Sequence, residues 1–599
     1  MTEYLLLITI GPVQEFIAAA RRTRDLWAGS QLLSDLSRAA AEFLRTTDAD
    51  LIFPSQENLT NHDVVNRILA VVSVPPEELG PRLEDHVREM LRKKAGETLV
   101  KINGLHTGGT LAFAKGQVDE LLEIFWAGVV RTDNYKHDRD NLEAALAARK
   151  NTRDFFQPVY SAMVPKSSID GTRESVIPEE FFPQRNASAA EKKRKIQRLF
   201  DLFGAGQAER LSGVDLFKRH AKGPDGQADF PSTSHFAALP LLTRLRAQGL
   251  DYAAAMNLYV KALESQFFAR IEKLHTPRFK HLALAGGYDA SLLFEERLSD
   301  VVEEAELKEA RGALADFFAA ATKGERPEPY YAILHADGDN MGKVIDNQDG
   351  IARHKAFSQA LDLFADSVRG IVESAPYRGA LVYAGGDDVL AFLPLDTALA
   401  CAKHLADSFA KALKGYQGAK DEVATLSVGL AICHHIEPLS DALNLARAAE
   451  KAAKGMKDKA ALAITLSKRS GADLTVRGRW QGAFYERLDR FVKLHQADAL
   501  PDGAAYELRD LDERVGRTLA PEALIADATR ILGRKRAQHG RAGIEPTDLA
   551  MIKNALDTGK AELRQSDGRP VWGINELADE LIVARVFARA QGLKPRKEP

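Results

Sequence analysis

The sequence predicts an α+β protein in which two mixed strand-and-helix regions alternate with two helical ones. Three observations carry this. Short β-branched and aromatic runs separated by helical stretches occupy roughly 1–165 and again 326–475. Between them, over 166–325, the pattern shifts to helices broken by Pro, Gly and Ser. The last stretch, 478–599, is helical in pattern throughout, interrupted by the basic, glycine-containing segment Gly533 to Gly543.

With 599 residues the chain is long enough for several domains. A composition of 45% hydrophobic and 28% charged residues is that of a soluble globular protein, and no membrane partner is expected. The net charge of −3 gives no overall basic signature, so nucleic-acid contacts must come from local patches or from partner subunits. Two cysteines, Cys401 and Cys433, argue against a disulfide framework and against a cysteine-built zinc site, and the expected setting is cytoplasmic. The N-terminal apolar run follows Glu3 without a basic region or a cleavage site, so it reads as a first strand rather than a signal peptide.

That strand, Tyr4 to Ile10, ends at Gly11-Pro12, and the apolar spacing of Phe16, Ala20 and Leu26 predicts one helix from Val13 onward. Arg21, Arg22 and Arg24 on it either face phosphates or lie solvated. Further strands are expected at Leu51 to Phe53, Ile68 to Val74 and Thr110 to Phe113, around a helix from Pro81 to Gly96. His62-Asp63 invites a metal-dependent HD hydrolase reading, but it stands in a polar loop without the further ligands such a site needs, so a structural role is expected. In the helical region, Lys222 to Ser234 reads as loop. The clusters Lys192 to Arg198 and Lys218-Arg219-His220 read as solvated surface or as lining for a polynucleotide or partner.

Chemistry concentrates in the third region. Leu381 to Leu393, LVYAGGDDVLAFL, reads as a β-hairpin whose turn uses Gly385-Gly386 for positive φ and presents Asp387 and Asp388 at its tip. Upstream, the strand beginning at Tyr330 ends in Asp337-Gly338-Asp339-Asn340, and a helix opens at Met341 to Ile345. Acidic turns also occur for purely local backbone reasons. Two carboxylate-bearing strand ends side by side, however, form a hard-oxygen site suited to Mg²⁺ or Mn²⁺ and hence to phosphoryl transfer. A further strand, Ala424 to Cys433, and a helix, Ser440 to Lys454, follow.

The ordered series IGPVQEFIAAARRTRDLWAGS, YYAILHADGDNMGK, YAGGDDVLAFLP, TLSVGLAICHHIEPLSDALNLARAAEKAAKG and LSKRSG closely resembles the large subunit of type III CRISPR effector complexes of the Cmr type. The resemblance implies two ferredoxin-like Palm domains, 1–165 without a GGDD and 326–475 with DGD and GGDD motifs. It also implies a helical linker at 166–325 and a C-terminal helical domain at 478–599. The implied activity is target-RNA-activated joining of ATP into cyclic oligoadenylates through 3′-5′ linkages. Asp337, Asp387 and Asp388 would be catalytic and hold Mg²⁺ or Mn²⁺. Gly385 and Gly386 would admit the triphosphate to the backbone, with Gly338, Asp339, Asn340 and Lys454 also placed at the nucleotide. The Gly11 to Ser30 segment, with Arg21, Arg22 or Arg24, is a candidate to hold a second nucleotide. The implied partners are guide RNA, complementary target RNA and the other Cmr-type backbone and small subunits.

Two departures from the family pattern matter. The chain starts at the first Palm, so HD-type DNA cleavage is not expected. Ser167, Asp170 and Ser212 stand where zinc-binding cysteines would be, so no zinc is expected. Three alternatives remain open at this point: adenylyl transfer to an acceptor such as S-adenosylmethionine, a catalytically silent subunit that organises RNA, and a diguanylate cyclase.

Overall fold

The computed structural model describes residues 2–592 except 56–58, 60–62, 107–108, 153–163, 224–228, 250–251, 267–271, 303, 470, 517, 535–542 and 563–572. His62 and most of the basic stretch after Gly533 therefore lie outside the described residues.

The first sheet contains β1 (Tyr4–Gly11), β2 (Asp50–Phe53), β3 (Arg67–Val72) and β4 (Glu123–Val130), in the order β2-β3-β1-β4, antiparallel throughout. The second contains β5 (Tyr330–Asp339), β6 (Ala380–Gly385), β7 (Asp388–Leu393), β8 (Thr425–His434), β9 (Ala461–Leu466) and β10 (Leu474–Arg479), in the order β10-β9-β8-β5-β7-β6. Numbered within each region, the first four strands of both sheets run 4-1-3-2, the ferredoxin-like order. In the second sheet β9 is added parallel to β8, and β10 pairs antiparallel with β9.

Around the first sheet lie α1 (Gln14–Ala18), α2 (Thr23–Thr46), α3 (Pro76–Leu99), α4 (Thr110–Asp119) and α5 (Tyr135–Asn151). The region between the sheets supplies α6 (Ala189–Phe203), α7 (Gly213–His220), α8 (Thr233–Ala247), α9 (Ala253–Gln266), α10 (Leu298–Val301) and α11 (Leu307–Thr322). The second sheet carries α12 (Met341–Asp346), α13 (Ile351–Val372), α14 (Leu395–Ala412) and α15 (Leu439–Lys454). The C-terminal bundle is α16 (Phe484–Gln496), α17 (Gly503–Val515), α18 (Pro521–Arg534), α19 (Pro546–Glu562) and α20 (Ile574–Ala590). Among the described residues no helix is long and apolar enough to cross a membrane.

Three expectations are corrected. Thr110 to Phe113 is helix, not strand: Ala114, Gln117 and Val118 are buried at helical spacing, and the fourth strand is the aromatic-rich EIFWAGVV of β4. The helix opening after Pro12 is broken between Ala18 and Thr23. The cause is distant in sequence, because Lys218 Nζ donates to the carbonyls of Phe16, at 2.8 Å, and Ala19, groups that a continuous helix would bond to its own next turn. For the same reason Lys218-Arg219-His220 is not a solvated basic patch.

Arg219 is buried between two acids, 2.8 Å from Asp25 and 3.0 Å from Glu209, and donates to the Gly204 carbonyl. Burial by itself would raise the Glu209 pKa, but the charge and hydrogen bonds of Arg219, with Arg22 nearby, hold it down at about 2. These contacts weld the helical region to the first sheet. One apolar core accordingly runs from Leu6 and Ile8 through Phe203, Phe217 and Phe236 to Tyr331 and Phe392 of the second sheet. A second core lies on that sheet's other face, under α13 and α14, and continues into the C-terminal bundle.

Breaking a buried ion pair from one side strands the remaining charge. Arg219→Met leaves Asp25 and Glu209 facing each other without their cation, and is expected to destabilise the chain by about 3–5 kcal/mol. Urea unfolding followed by tryptophan fluorescence checks this, since Trp27 lies on the same helix as Asp25.

Candidate active site

The β6–β7 hairpin turns through two residues, with Gly385 paired to Asp388. Gly386, at φ 67°, takes the positive-φ place at the first central position of the turn, which a side chain would strain. Beside it, β5 and β7 pair with Ala336 opposite Val389, and Gly338 N donates to Asp387 O at 3.1 Å. The register therefore sets Asp337 opposite Asp388 and Gly338 opposite Asp387, and opposed residues share a face. Gly338 is required by packing: a Cβ there would stand 2.7 Å from that of Asp387. Gly385 is likewise filled from within, by the Tyr383 side chain.

On the Asp388 face lies α15. Ala446, Ala449 and Ala453 are fully buried, and opposite them Gly429 of β8 has no room for a side chain: a Cβ would fall 2.1 Å from Glu450 N. This close seat brings Arg447, Glu450 and Lys454 to the strand ends. Lys454 Nζ pairs with Asp337, donates to the Gly338 carbonyl at 3.4 Å and lies 3.7 Å from Glu450. His335 stands between two acids, Nε2 3.7 Å from Asp388 and Nδ1 3.9 Å from Glu450.

Charge is poorly compensated here. Burial pushes the Asp387 carboxyl up to about 6. Burial, with the charges of Asp387 and Glu450, pushes Asp388 to about 7. Burial, then Arg447 and Lys454, lowers His335 to about 4, so the imidazole is neutral near pH 7. Asp388 Oδ1, Glu450 Oε1 and His335 Nδ1 are buried without a hydrogen bond. Orphaned polar atoms of this kind mark a place for an ion, water or ligand.

The expected residues thus separate into two groups. Asp337, Asp387, Asp388, Gly338, Gly385, Gly386 and Lys454 assemble at one edge. Asp339 turns inward: it is fully buried and accepts from Thr425 Oγ1, Ser427 Oγ and Ala460 N. Asn340, at φ 60°, precedes α12 and donates to Val423 O at 3.2 Å. His335, Tyr383, Arg447 and Glu450 are the additions. Arg447, Glu450 and Lys454 follow one another at helical spacing, a stripe readable from the sequence once α15 is known to face the strand ends.

Among the described residues no group of three or more His, Cys, Asp or Glu side chains is placed to hold a metal ion. The donor chemistry nonetheless fits Mg²⁺ or Mn²⁺, which bind through one or two carboxylates and keep several waters. Asp63, of the His62-Asp63 pair, accepts from Ala384 N at 3.4 Å and lies 3.7 Å from Arg369, a structural tie to the hairpin. Arg22 bonds Gly204 O and pairs with Glu209 and Glu272, while Arg21 is exposed and Arg24 half-buried. At the positions where the family resemblance leads to the expectation of cysteines, Ser167 and Ser212 both donate to Asp215 Oδ2 at 2.7 Å, and Asp170 holds Arg173. Cys401 and Cys433 are buried and free.

Comparison with known proteins follows the same lines. Residues 330–463 match the family described as Cas10/Cmr2, second palm domain, and residues 5–114 match CRISPR-associated protein Cmr2, N-terminal. The CRISPR system Cmr subunit Cmr2 of Pyrococcus furiosus is 27% identical over 554 residues, covering 78% of this chain and 62% of that protein. The chain thus spans under two thirds of that relative's length. In fold it is similar to a subunit of the type III-B Cmr-beta complex in its apo state, with TM-score 0.68, 13% identity and coverage of 98% and 82% of the two chains. The same complex bound to cognate target RNA gives TM-score 0.65, 13% identity and coverage of 98% and 83%.

A carboxyl whose folded pKa exceeds its unfolded value binds its proton more tightly when folded. Asp388 therefore subtracts stability as pH rises from about 4 through about 7. In chelator-containing buffer, Asp388→Asn is expected to melt above the wild type at pH 8, with the difference closing toward pH 4. Scanning calorimetry across that range checks it, and parallel pH profiles for the two proteins would contradict it.

Proposed function

We propose that this chain, whose residues 5–114 and 330–463 match Cmr2 and Cas10/Cmr2 family models, is the large subunit of a type III RNA-guided complex whose second palm joins ATP molecules into cyclic oligoadenylates. The observation that carries this reading is that Asp337 and Asp388 stand opposite each other on adjoining strand ends, with Asp387 next to Asp388 in the hairpin turn and Lys454 of α15 paired with Asp337.

Asp337, Asp387 and Asp388 would hold Mg²⁺ or Mn²⁺. The bound ion supplies Lewis-acid stabilisation of phosphoryl oxygens and activation of a 3′-hydroxyl. The chain's own contribution is positioning. The hairpin turn is rigid because β6 and β7 are paired to its last residue, so Asp387 and Asp388 are held without loop freedom. Lys454, a mobile point charge on a four-carbon stem, neutralises Asp337 and lies where a nucleotide's phosphates would approach. His335, neutral near pH 7, keeps a proton-bearing ring beside Asp388 without adding charge. The Ser167–Asp215–Ser212 hydrogen bonds tie together two segments of the helical region. Guide RNA, target RNA and the Cmr-type backbone and small subunits are the proposed partners.

The test is product analysis on the assembled complex, given labelled ATP and Mg²⁺ or Mn²⁺ with and without RNA complementary to the guide. Target-dependent cyclic oligoadenylate is expected. The double variant Asp387→Ala with Asp388→Ala should lose synthesis by orders of magnitude while RNA binding persists. Absence of any ATP-derived product from the wild type would instead leave a silent RNA-organising subunit, and a mono-adenylated small molecule would identify a different acceptor.

A further inference from the structure

The acidic hairpin carries one surplus residue on its outer strand. Ala380 pairs with Phe392 and Leu381 with Ala391, but Tyr383 then pairs with Leu390, so Val382 is left over as a β-bulge. The bulge decides the turn. Had the pairing of Leu381 with Ala391 run on regularly, Ala384 would face Asp388, and Gly385, Gly386 and Asp387 would all be loop; with the surplus residue Gly385 faces Asp388, and only Gly386 and Asp387 turn. It also re-aims a side chain. Val382 and Tyr383 both pack on the core of the Asp388 face, whereas Leu381 and Ala384 belong to the opposite core. Tyr383 is thereby carried beneath the turn, where its hydroxyl occupies the space that a side chain on Gly385 would take.

β6 is an edge strand, with no neighbouring strand on its outer side to hold such an irregularity. Two side chains replace one. Arg278 Nη2 donates to Leu381 O at 2.8 Å and Leu381 N donates to Glu373 Oε1 at 3.0 Å, so both backbone groups of one residue are met as a strand would meet them. The two side chains are joined to each other, with Arg278 Nε 3.0 Å from both Glu373 oxygens and Nη2 also on Oε1. The guanidinium is seated over the Phe279 ring, 4.6 Å from its centroid, with the rings of Trp27 at 5.8 Å and Phe230 at 5.9 Å.

On the turn side of the bulge, Ala384 N donates to Asp63 at 3.4 Å. In regular antiparallel pairing an outward N–H recurs at every second residue. Leu381 and Ala384, three apart, both face outward because the bulge lies between them, and the two contacts grip it from either side.

We infer that Arg278 and Glu373 are positioning residues for the Asp387–Asp388 turn: they hold the bulge in β6, and through it the two-residue turn that presents both acids to a divalent cation. This deepens the nucleotidyl-transfer reading and rests on it for the ion alone, since the register of the hairpin is measurable without it.

The test uses the full-length chain, with Mn²⁺ as the probe titrated by the electron paramagnetic resonance signal of the free ion, and with hydrogen exchange of the 380–393 segment read by mass spectrometry. Arg278→Met is expected to weaken Mn²⁺ binding about tenfold, the usual effect of removing a residue that orients a metal ligand. It should also speed exchange at Leu381 and Ala384 while β5 and β8 stay protected. Arg278→Lys should behave like Arg278→Met, because an ammonium lacks the fork that serves Glu373 and Leu381 together. Glu373→Gln keeps an oxygen for Leu381 N and should lose less; it is the graded version if Arg278→Met does not fold. Deleting Val382 makes the two-residue turn regular, so on that background Arg278→Met should leave Mn²⁺ affinity unchanged. Unaltered Mn²⁺ affinity in Arg278→Met, or the same loss with and without Val382, overturns the positioning role. A wild type that binds no Mn²⁺ sinks the metal-site reading instead, and exchange then decides the lock: faster exchange at Leu381 and Ala384 in Arg278→Met upholds it, and unchanged exchange overturns it.

Discussion

Gly429 lets α15 lie directly on β8, with the Glu450 nitrogen and the Ala446 carbonyl in the space where any side chain would stand. The three buried alanines of the helix complete that contact, since larger residues would lift it away. Everything on the Asp388 face follows from this separation. Arg447, Glu450 and Lys454 reach the ends of β5 and β7 only because the helix axis is so near the sheet. The parallel crossover from β8 through α15 to β9 then fixes where the chain must turn back, beside Asp339.

The hairpin is secured from its other side by a different kind of contact. β6 is the edge strand of its sheet, and an edge offers unpaired backbone groups that proteins cover or block. Here side chains do the covering. Leu381 O accepts from Arg278 Nη2 at 2.8 Å, Leu381 N donates to Glu373 at 3.0 Å, and Ala384 N donates to Asp63. Arg278 belongs to the helical region, Glu373 to the turn after α13, and Asp63 to the first sheet's region. One neighbouring and two distant segments thus close one edge. A tip that would otherwise be a two-stranded ribbon, marginal in water, is locked on both sides.

The fold was legible wherever local pattern and tertiary role coincide. Tyr4 to Ile10, Ala424 to Cys433 and the acidic hairpin are strands in the sequence because β-branched and aromatic runs are too short for helices, and they are strands in the structure. Thr110 to Phe113 misleads because so short a run, a threonine and three apolar residues, cannot distinguish a strand from the first turn of an amphipathic helix. The break after Ala18 has no local signal at all. Its cause is an ammonium group two hundred residues away in sequence, and the same group makes an apparently solvated basic cluster into core.

For the site, carboxylate identity was readable and orientation was not. Asp337, Asp339, Asp387 and Asp388 look alike as letters, yet the two-residue period of β5 puts Asp337 and Asp339 on the same face while the neighbouring strand decides their fates. Asp339 meets hydroxyls from Thr425 and Ser427 and becomes structural; Asp337, set opposite Asp388 at the strand end, pairs with Lys454. Glu450 carries no signal of its own in the sequence, because an acid four residues before a lysine on a helix reads as an ordinary surface pair. It is a site residue because the alanine stripe beside it is buried, and that burial depends on a glycine in another element. The chemistry of this edge is therefore written in small residues, Gly429, Ala446, Ala449 and Gly338, whose only contribution is to let charged neighbours come close.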